Sequence, residues 1–253
     1  MGVGGGFLIV PLQITWSRRD PHRATGTSLA AILPIALVGA FVYYFGRRPG
    51  QVDLTVAFFL VIGSTLGAYV GSRLIASFPE PTLKVVVAAV LVVVGLDEIV
   101  SGLLPGVLGI SHNLAPIQLD PWQCGLIVVA GLMIGTLSGI TGVGGGIFLV
   151  PILVIGFGMS HRLAQGTSLI AVLPTAGVGA FAHLRHSNVD MRAAAWIGTA
   201  GMPTALAGAT LALSLPQTLL AVLFGVLLLF AANRIRPRYQ ANPRKVRSRT
   251  EAK

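Results

Sequence analysis

The 253-residue sequence has few charged side chains, which make up 10% of it, and a single cysteine, Cys124. Soluble domains carry about 25% charged residues, so this shortage argues against a soluble protein. One cysteine excludes an intramolecular disulfide and a Cys-x-x-Cys motif, and Cys124 is expected to be a small buried apolar residue. Because the five histidines are scattered and no hydrolase or metal motif occurs, we predict no catalytic residue, no metal and no cofactor.

Apolar residues are abundant: they form 54% of the sequence, and the mean hydropathy is +0.81. Apolar runs long enough to cross a bilayer, which takes about 20 residues, recur along the chain. The sequence therefore predicts an all-α fold, a polytopic transmembrane helical bundle.

Much of the positive charge lies at the end of the chain. The formal net charge is +10, and eight Lys or Arg follow residue 233 against one acid, Glu251. Basic residues beside a membrane span are typical of the cytoplasmic side and can contact anionic headgroups. We predict a multi-pass protein of the inner (plasma) membrane with a cytoplasmic C-terminus. Its partners would be the lipid bilayer and a small anion, with no nucleic acid, and a homo-oligomer is left open.

One sequence pattern occurs twice at an offset of 140 residues (142 − 2 = 140). GVGGGFLIVP at 2–11 returns as GVGGGIFLVP at 142–151, and ATGTSLAAILP at 24–34 returns as AQGTSLIAVLP at 164–174. An internal duplication of this kind indicates two homologous transmembrane repeats. The predicted organisation is a first repeat over 1–98, an extracytoplasmic linker over 99–121, a second repeat over 122–233 and a basic cytoplasmic tail over 234–253.

Hydrophobic segments predict the helices of each repeat. In the second repeat they are 122–141, 143–157, 166–184, 191–213 and 216–233. In the first repeat they are 3–16, 26–45, 54–75 and 82–96. The first helix of repeat one is missing from this sequence, so we expect a truncated chain or a misassigned start.

The charges at corresponding positions favour inverted repeats. Asp97 and Glu98 end the fourth segment of the first repeat, where the second repeat has Asn233 and Arg234. Opposite charges are expected when two repeats cross the membrane in opposite directions. The arginines at 47–48 do not fit this arrangement, and parallel repeats with re-entrant Gly-rich segments are the alternative. The two acids are interpreted as a solvated helix end, with a proton or ion site as the alternative.

Each repeat contains a Gly-rich run that predicts a broken helix or half-helix. Gly costs about 1 kcal/mol and Pro about 3 kcal/mol in a helix interior. A half-helix that begins after such a break presents unpaired amides and a positive dipole end, which suit an anion. The predicted substrate-binding glycines are Gly4, Gly5, Gly6, Gly144, Gly145 and Gly146. Pro11 and Pro151 are predicted to end or kink the segment that follows.

A second repeated motif adds hydroxyl groups to this prediction. Thr27 with Ser28, and Thr167 with Ser168, are expected to open the next helices and to cap them or bind substrate. Helix kinks are predicted at Pro34 and Pro174. The alternative for such segments is close helix packing through small residues, which we assign to 67–71 and 205–209. His183 is expected to be packed or interfacial, with proton transfer as the alternative.

At these motifs the sequence resembles the TauE/SafE family of membrane permeases, often called sulfite exporters. The resemblance is carried by SGITGVGGGIFLVP at 138–151 with QGTSL at 165–169, and by GVGGGFLIVP at 2–11 with TGTSL at 25–29. It extends from residue 2 to about residue 233. It implies a duplicated helical bundle that moves small anions such as sulfite, sulfonates or organic anions, with the repeated Gly and Thr-Ser residues lining the pathway.

The favoured function is secondary transport of small anions, sulfite, sulfonates or related sulfur compounds, bound at paired half-helix N-termini. A passive anion channel on the same fold is one alternative. A truncated, non-transporting membrane protein is another, although a scaffold has no need of polar breaks in its spans. A membrane-embedded enzyme is disfavoured because the sequence offers no catalytic constellation.

Overall fold

The computed structural model describes residues 6, 9–10, 12–13, 20–46, 51–74, 80–103, 120–142 and 144–235. The secondary structure elements of these residues are all helices, as predicted. They are α1 (Pro21–Phe45), α2 (Leu54–Leu74), α3 (Glu80–Leu103), α4 (Pro121–Thr141), α5 (Gly146–Pro151) with a π-helical turn (Ile152–Gly156), α6 (His161–Arg185), α7 (Met191–Ser214) and α8 (Gln217–Ile235).

Four of these helices are long and apolar enough to cross a membrane. They lie in α1, α2, α4 and α6, over His22–Phe45, Leu54–Ser72, Pro121–Thr141 and His161–Arg185. Large apolar side chains point away from the bundle: Phe58 is 61% exposed and Met133 is 64% exposed. Such side chains are unfavourable in water but suit the acyl chains of a bilayer, so the outer surface is that of a membrane protein.

Short polar residues set where several helices begin. The Asp20 carboxylate accepts a hydrogen bond from the His22 amide before α1, and Ser160 Oγ accepts one from the Leu163 amide in α6. Such caps satisfy amides that have no partner within the helix. Helices α1 and α6 thus start six residues before Thr27 and Thr167 (27 − 21 and 167 − 161). The prediction that the Thr-Ser pairs open these helices is wrong, because the caps lie further upstream.

Helices α2 and α4 pack through a double row of glycines. A Cβ at Gly67 would overlap the carbonyl oxygen of Leu132, and a Cβ at Gly135 would overlap that of Ser64. The packing role predicted for 67–71 is confirmed, because close backbone approach needs small residues. In the other predicted packing segment, a Cβ at Gly208 would meet nothing within 4 Å, so that interpretation is wrong at Gly208.

The two halves of the chain interlock. Helix α1 packs against α6 and α7, α2 packs against α4 and α6, and α3 packs against α8. A Cβ at Gly39 would lie 3.1 Å from Leu169 Cδ1, and one at Gly179 would lie 3.0 Å from Leu29 Cδ1. Each half thus places a leucine against a glycine of the other half, at positions 140 residues apart (169 − 29 and 179 − 39).

Some boundaries differ from the expected ones. Helix α3 continues to Leu103, beyond the boundary predicted at residue 98, and α4 begins at Pro121. Cys124 lies on α4 and is only half-buried, although a buried residue was expected. It is near the start of a helix whose other face packs on α2, which leaves the cysteine partly exposed.

Candidate functional site

The Gly-rich segment of the second half breaks the helical path between α4 and α5. Gly142, Gly144 and Gly145 have φ of 71°, 81° and 75°, a backbone conformation that side chains with a Cβ rarely adopt. The Gly142 amide still donates to Ser138 O, and the helical hydrogen bonds of α5 begin where the Phe148 and Leu149 amides donate to Gly145 O. The predicted break is therefore present between residues 142 and 145.

The helical segment after the break is short and apolar. It runs from Gly146 to Gly156, and at about 1.5 Å per residue it is roughly 16 Å long, about half of a bilayer core. Every residue from Gly146 to Pro151 is buried. The α-helical part ends at Pro151, where the π-helical turn begins, as the missing proline amide leads one to expect.

Helices α1, α4 and α6 flank the glycine segment, which comprises Gly142 and Gly144–Gly146. Helix α6 contributes Val172, whose Cγ1 would lie 3.8 Å from a Cβ at Gly144. A Cβ at Gly142 would lie 2.6 Å from Thr25 Cγ2 of α1, and a Cβ at Gly144 would lie 2.9 Å from Ile32 Cδ1. Ser28 lies three residues after Thr25 and four before Ile32, so the helical period places it on the same face of α1 as these two residues. From α4, the Ser138 Oγ would lie 3.5 Å from a Cβ at Gly145.

Ser28 and Ser138 are buried serines on the two helices that contact the glycine segment. Both serines are fully buried, and neither Oγ has a hydrogen-bond partner among the described residues. A buried polar group without a partner costs about 1–3 kcal/mol, so native proteins rarely keep one without a reason. Ser28 was predicted from the sequence and Ser138 was not, although Ser138 opens the SGITGVGGG motif.

The two predicted threonines join the halves. Thr27 Oγ1 accepts a hydrogen bond of 2.9 Å from the Asp190 amide, and Thr167 Oγ1 accepts one of 2.9 Å from the Asp53 amide. Both threonines are fully buried. Since Asp53 caps α2 and Asp190 caps α7, each threonine fixes the start of a helix from the other half. Next to Thr167, Ser168 Oγ donates to Gln165 O at 2.9 Å.

Glycines beside the threonines allow this approach. A Cβ at Gly26 would overlap the Asn188 carbonyl oxygen, and a Cβ at Gly166 would overlap that of Gln51. Both glycines lie inside helices, where glycine is otherwise unfavourable. The Gly of each Gly-Thr-Ser motif is therefore explained by packing between the halves.

Some of the remaining predicted positions lie outside the described residues, and the others lie within helices. Gly4, Gly5 and Pro11 lie outside the described residues, while Gly6 is helical and buried. Pro34 and Pro174 lie inside α1 and α6, which continue through them.

The buried His183 agrees with the packed role expected of it. It is 3% exposed, and its Nε2 lies 3.3 Å from Gly139 O.

The structure corrects the interpretation of Glu98. Its side chain is buried within α3, not solvated at a helix end, and its Oε2 lies 3.1 Å from Nε2 of the buried His161. Glu98 is buried because His161 of α6 and the Gly225 position of α8 lie against it, where the sequence places a boundary. The side chain of Asp97 lies outside the description. Within the described ranges, no group of three or more His, Cys, Asp or Glu is placed to hold a metal ion.

Membrane-crossing helices, a buried helix break and polar groups inside the bundle together define a polytopic membrane protein with the features of a transporter. The profile of the family described as Sulfite exporter TauE/SafE matches residues 1–97 and 127–252. The chain belongs to this family of membrane transporters.

Relatives of this chain are also named as transporters. The probable membrane transporter protein YdhB of Bacillus subtilis (strain 168) is 26% identical over 192 residues, which cover 75% of this chain and 74% of YdhB. A probable membrane transporter protein of Xylella fastidiosa (strain Temecula1) is 27% identical over 235 residues, covering 92% of this chain and 87% of the relative. No solved structure matches the chain.

Proposed function

We propose that the protein is a secondary transporter of small anions, namely sulfite, sulfonates or related sulfur oxyanions. The anion would bind at the break between α4 and α5, among Gly144, Gly145 and Gly146 and the hydroxyls of Ser28 and Ser138. The observation that carries this proposal is the close contact of α1 and α4 with the glycine segment, together with the buried hydroxyls of Ser28 and Ser138, which have no hydrogen-bond partner among the described residues.

The chemistry of this place suits an oxyanion. A serine hydroxyl donates one hydrogen bond, and the amides of Gly146 and Ile147 precede the first helical hydrogen bond of α5. The amino end of the helical segment adds a positive dipole end. None of these groups carries a full charge, so the empty site does not bury an uncompensated cation. Such a site would bind weakly enough to release its anion.

The first half would contribute a corresponding anion-binding site, formed by Gly4, Gly5 and Gly6 with Thr167 and Ser168. The paired threonine hydrogen bonds and the paired leucine–glycine contacts support two equivalent halves. With inverted repeats, the basic tail over 234–253 would lie in the cytoplasm and the linker outside it. We place the protein in the plasma membrane on the same charge argument.

The first test measures thermal unfolding of the detergent-purified protein with sulfite, sulfate, thiosulfate, methanesulfonate, acetate and chloride. A ligand that binds the folded state raises the Tm once its concentration passes its Kd. We expect a sulfur oxyanion to raise the Tm most. Ser28→Ala and Ser138→Ala should each weaken binding about 10- to 100-fold, because a hydrogen bond to a charged group contributes about 1.5–3 kcal/mol.

The matched control is Ser64→Ala, because Ser64 Oγ has a hydrogen-bond partner, Thr175 Oγ1 at 2.6 Å. Ser64→Ala should lower the Tm without anion and leave the affinity unchanged. Ser28→Ala and Ser138→Ala should leave the Tm without anion unchanged or higher, since each removes an unsatisfied hydroxyl. Unaltered affinity in both of these variants would refute the site.

Flux in proteoliposomes separates a transporter from a passive channel. Saturable sulfite uptake that is accelerated by unlabelled sulfite on the opposite side indicates a carrier, while uptake that does not saturate indicates a channel. Gly145→Leu should abolish flux while the protein still inserts, because its φ of 75° disfavours any side chain and the leucine would fill the site. Unchanged flux in this variant would contradict a binding role for the break.

A further inference from the structure

Helices α3 and α8 form a pair that is set apart from the other described helices. They pack closely on each other, with a Cβ at Gly95 3.0 Å from Gly225 O and a Cβ at Gly225 2.6 Å from Gly95 O. Their contacts with the rest of the described bundle lie mainly where α6 approaches α8. Among the described residues this helix pair contacts the bundle mainly through one other helix, an arrangement that would let it move as a unit during transport.

A buried contact between a carboxyl group and an imidazole lies at the junction between this helix pair and the bundle. Glu98 of α3 and His161, the first residue of α6, are 1% and 2% exposed, and Glu98 Oε2 lies 3.1 Å from His161 Nε2. Glu98 packs against α8 as well, since a Cβ at Gly225 would lie 3.2 Å from Glu98 Cβ. All three helices therefore meet at this pair.

Other polar groups also lie near the start of α6. The Arg162 guanidinium donates to Leu215 O, at the turn between α7 and α8. Tyr43 of α1 donates its hydroxyl to Gln165 Oε1 at 2.5 Å. Helix α8 carries no titratable side chain between Gln217 and Asn233. Glu98 and His161 are thus the acid and base that contact each other directly at the junction.

A buried ion pair is a costly way to join helices. Desolvation of the two groups can exceed their attraction, and apolar residues of similar size often stabilise a protein as well or better. The pair also departs from the internal repeat, since position 161 corresponds to Pro21 (161 − 140 = 21). An ionisable pair that only one half carries, inside a membrane protein, suits a function that the two halves do not share.

We propose that Glu98 and His161 form the proton-binding site that couples anion transport to proton movement, an inference that rests on the proposed transport function. With one proton on the pair, the carboxylate and the imidazolium are neutral together. Movement of the α3–α8 pair relative to α6 separates the two groups, and the proton leaves to water on the side that opens. The deprotonated pair, with one net negative charge, then takes up a proton from the other side, so one proton crosses per cycle.

The test compares proteoliposomes that contain the wild-type protein, Glu98→Gln or Asp53→Asn. Asp53 is also buried, but its carboxylate caps α2 by accepting from the Thr55 and Val56 amides, a role that asparagine can fill. Labelled sulfite exchange at alkaline pH reports anion movement, and a pH dye inside the vesicles reports proton flux driven by a sulfite gradient. Protein-free liposomes provide the passive background.

We expect Glu98→Gln to lower sulfite-driven proton flux about tenfold or more while sulfite exchange stays within about twofold of the wild type. Asp53→Asn should retain both the proton flux and the sulfite exchange. A second variant, Glu98→Gln with His161→Gln, keeps a hydrogen bond between neutral groups. It should also lose proton flux while it retains sulfite exchange. Proton flux and exchange that fall together in both variants would refute the coupling role, as would proton flux unchanged in Glu98→Gln.

An infrared measurement needs no anion and so separates this inference from the proposed function. A pH-difference spectrum of the reconstituted wild-type protein should contain a shifted carboxylate band, caused by protonation of the adjoining imidazole, that disappears in Glu98→Gln and persists in Asp53→Asn. Absence of a Glu98-dependent band would refute the proton site even if sulfite were transported. Its presence, without sulfite exchange in the wild type, would refute sulfite as the substrate and retain the proton site.

Discussion

Individual threonines connect the halves of this transporter. Thr27 and Thr167 each accept a hydrogen bond from the amide of an aspartate that begins a helix in the other half. The sequence shows that both threonines recur in one motif, which identifies them as important. It does not reveal their partners, because Asp53 and Asp190 lie more than 100 residues away from them along the chain, at separations of 114 and 163.

We predict that Thr27→Val and Thr167→Val each lower stability by about 1–3 kcal/mol, because each leaves a buried amide without an acceptor. Thermal unfolding in detergent measures the loss. Thr167→Ser should restore most of it, since serine keeps the oxygen. Thr210→Val is the control: Thr210 is exposed, and its hydroxyl bonds only carbonyl oxygens of its own helix. Equal losses in Thr167→Val and Thr210→Val would contradict the proposed connection.

At the candidate site, too, the sequence identifies one residue and not the other. Ser28 could be selected from the repeated Gly-Thr-Ser motif, but Ser138 was not selected. Serine is common in apolar helices because its hydroxyl can bond a carbonyl one turn away, so its presence in α4 is uninformative. Only the structure shows that Ser138 Oγ lacks such a bond among the described residues.

At the scale of elements, the helix pair α2–α4 is joined by glycines. Gly63, Gly67 and Gly71 of α2 meet backbone atoms of α4, and Gly131, Gly135 and Gly139 of α4 meet backbone atoms of α2. Lipid competes equally for apolar side chains, so close backbone packing has to hold such helices together. The spacing of four residues within each row places the glycines on one helix face.

We predict that Gly135→Ala lowers stability by about 1–3 kcal/mol or more, because the new methyl group would overlap Ser64 O on the facing backbone. Gly125→Ala in the same helix is the matched control, since a Cβ there meets nothing within 4 Å. The control should be neutral or slightly stabilising through helix propensity. Unfolding temperatures in one detergent compare the two, and equal values would argue against glycine packing.

Element type was well predicted, and helix starts were less so. Long apolar segments predicted α1, α2, α4, α6 and α7, and the glycine run predicted the break before α5. Prediction of the start of α6 at Gly166 instead of His161 failed because polar residues at 161–165 suggest a loop. In the structure these residues are buried and form the first turn of α6, with Ser160 as its cap.

At the scale of the whole molecule, the core is built from both halves. Helix α1 packs on α6 and α7, α2 packs on α4 and α6, and α3 packs on α8. Neither half could bury these faces by itself. The residues between Leu103 and Asp120 join the halves in sequence, while the core contacts join them in space.

We therefore predict that the chain can be cut between residues 103 and 120 without loss of assembly. Two pieces expressed together should copurify through a tag on one of them, because the α2–α4 and α3–α8 contacts hold them together. Gly135→Ala in the second piece should reduce the recovered partner severalfold, and Gly125→Ala should not. Failure of the unaltered pieces to copurify would show that the covalent link is needed for assembly.

The sequence by itself determined the helical membrane class, the family, the duplicated motifs and the position of the break in the second half. These features depend on composition, apolar run length and backbone preference, all of which act over neighbouring residues. Only the tertiary structure decided that the threonines join the halves, that Ser138 lies against Gly145 and that Glu98 pairs with His161. These outcomes depend on which helices pack together, and a contact across 63 residues (161 − 98) leaves no local trace in the chain.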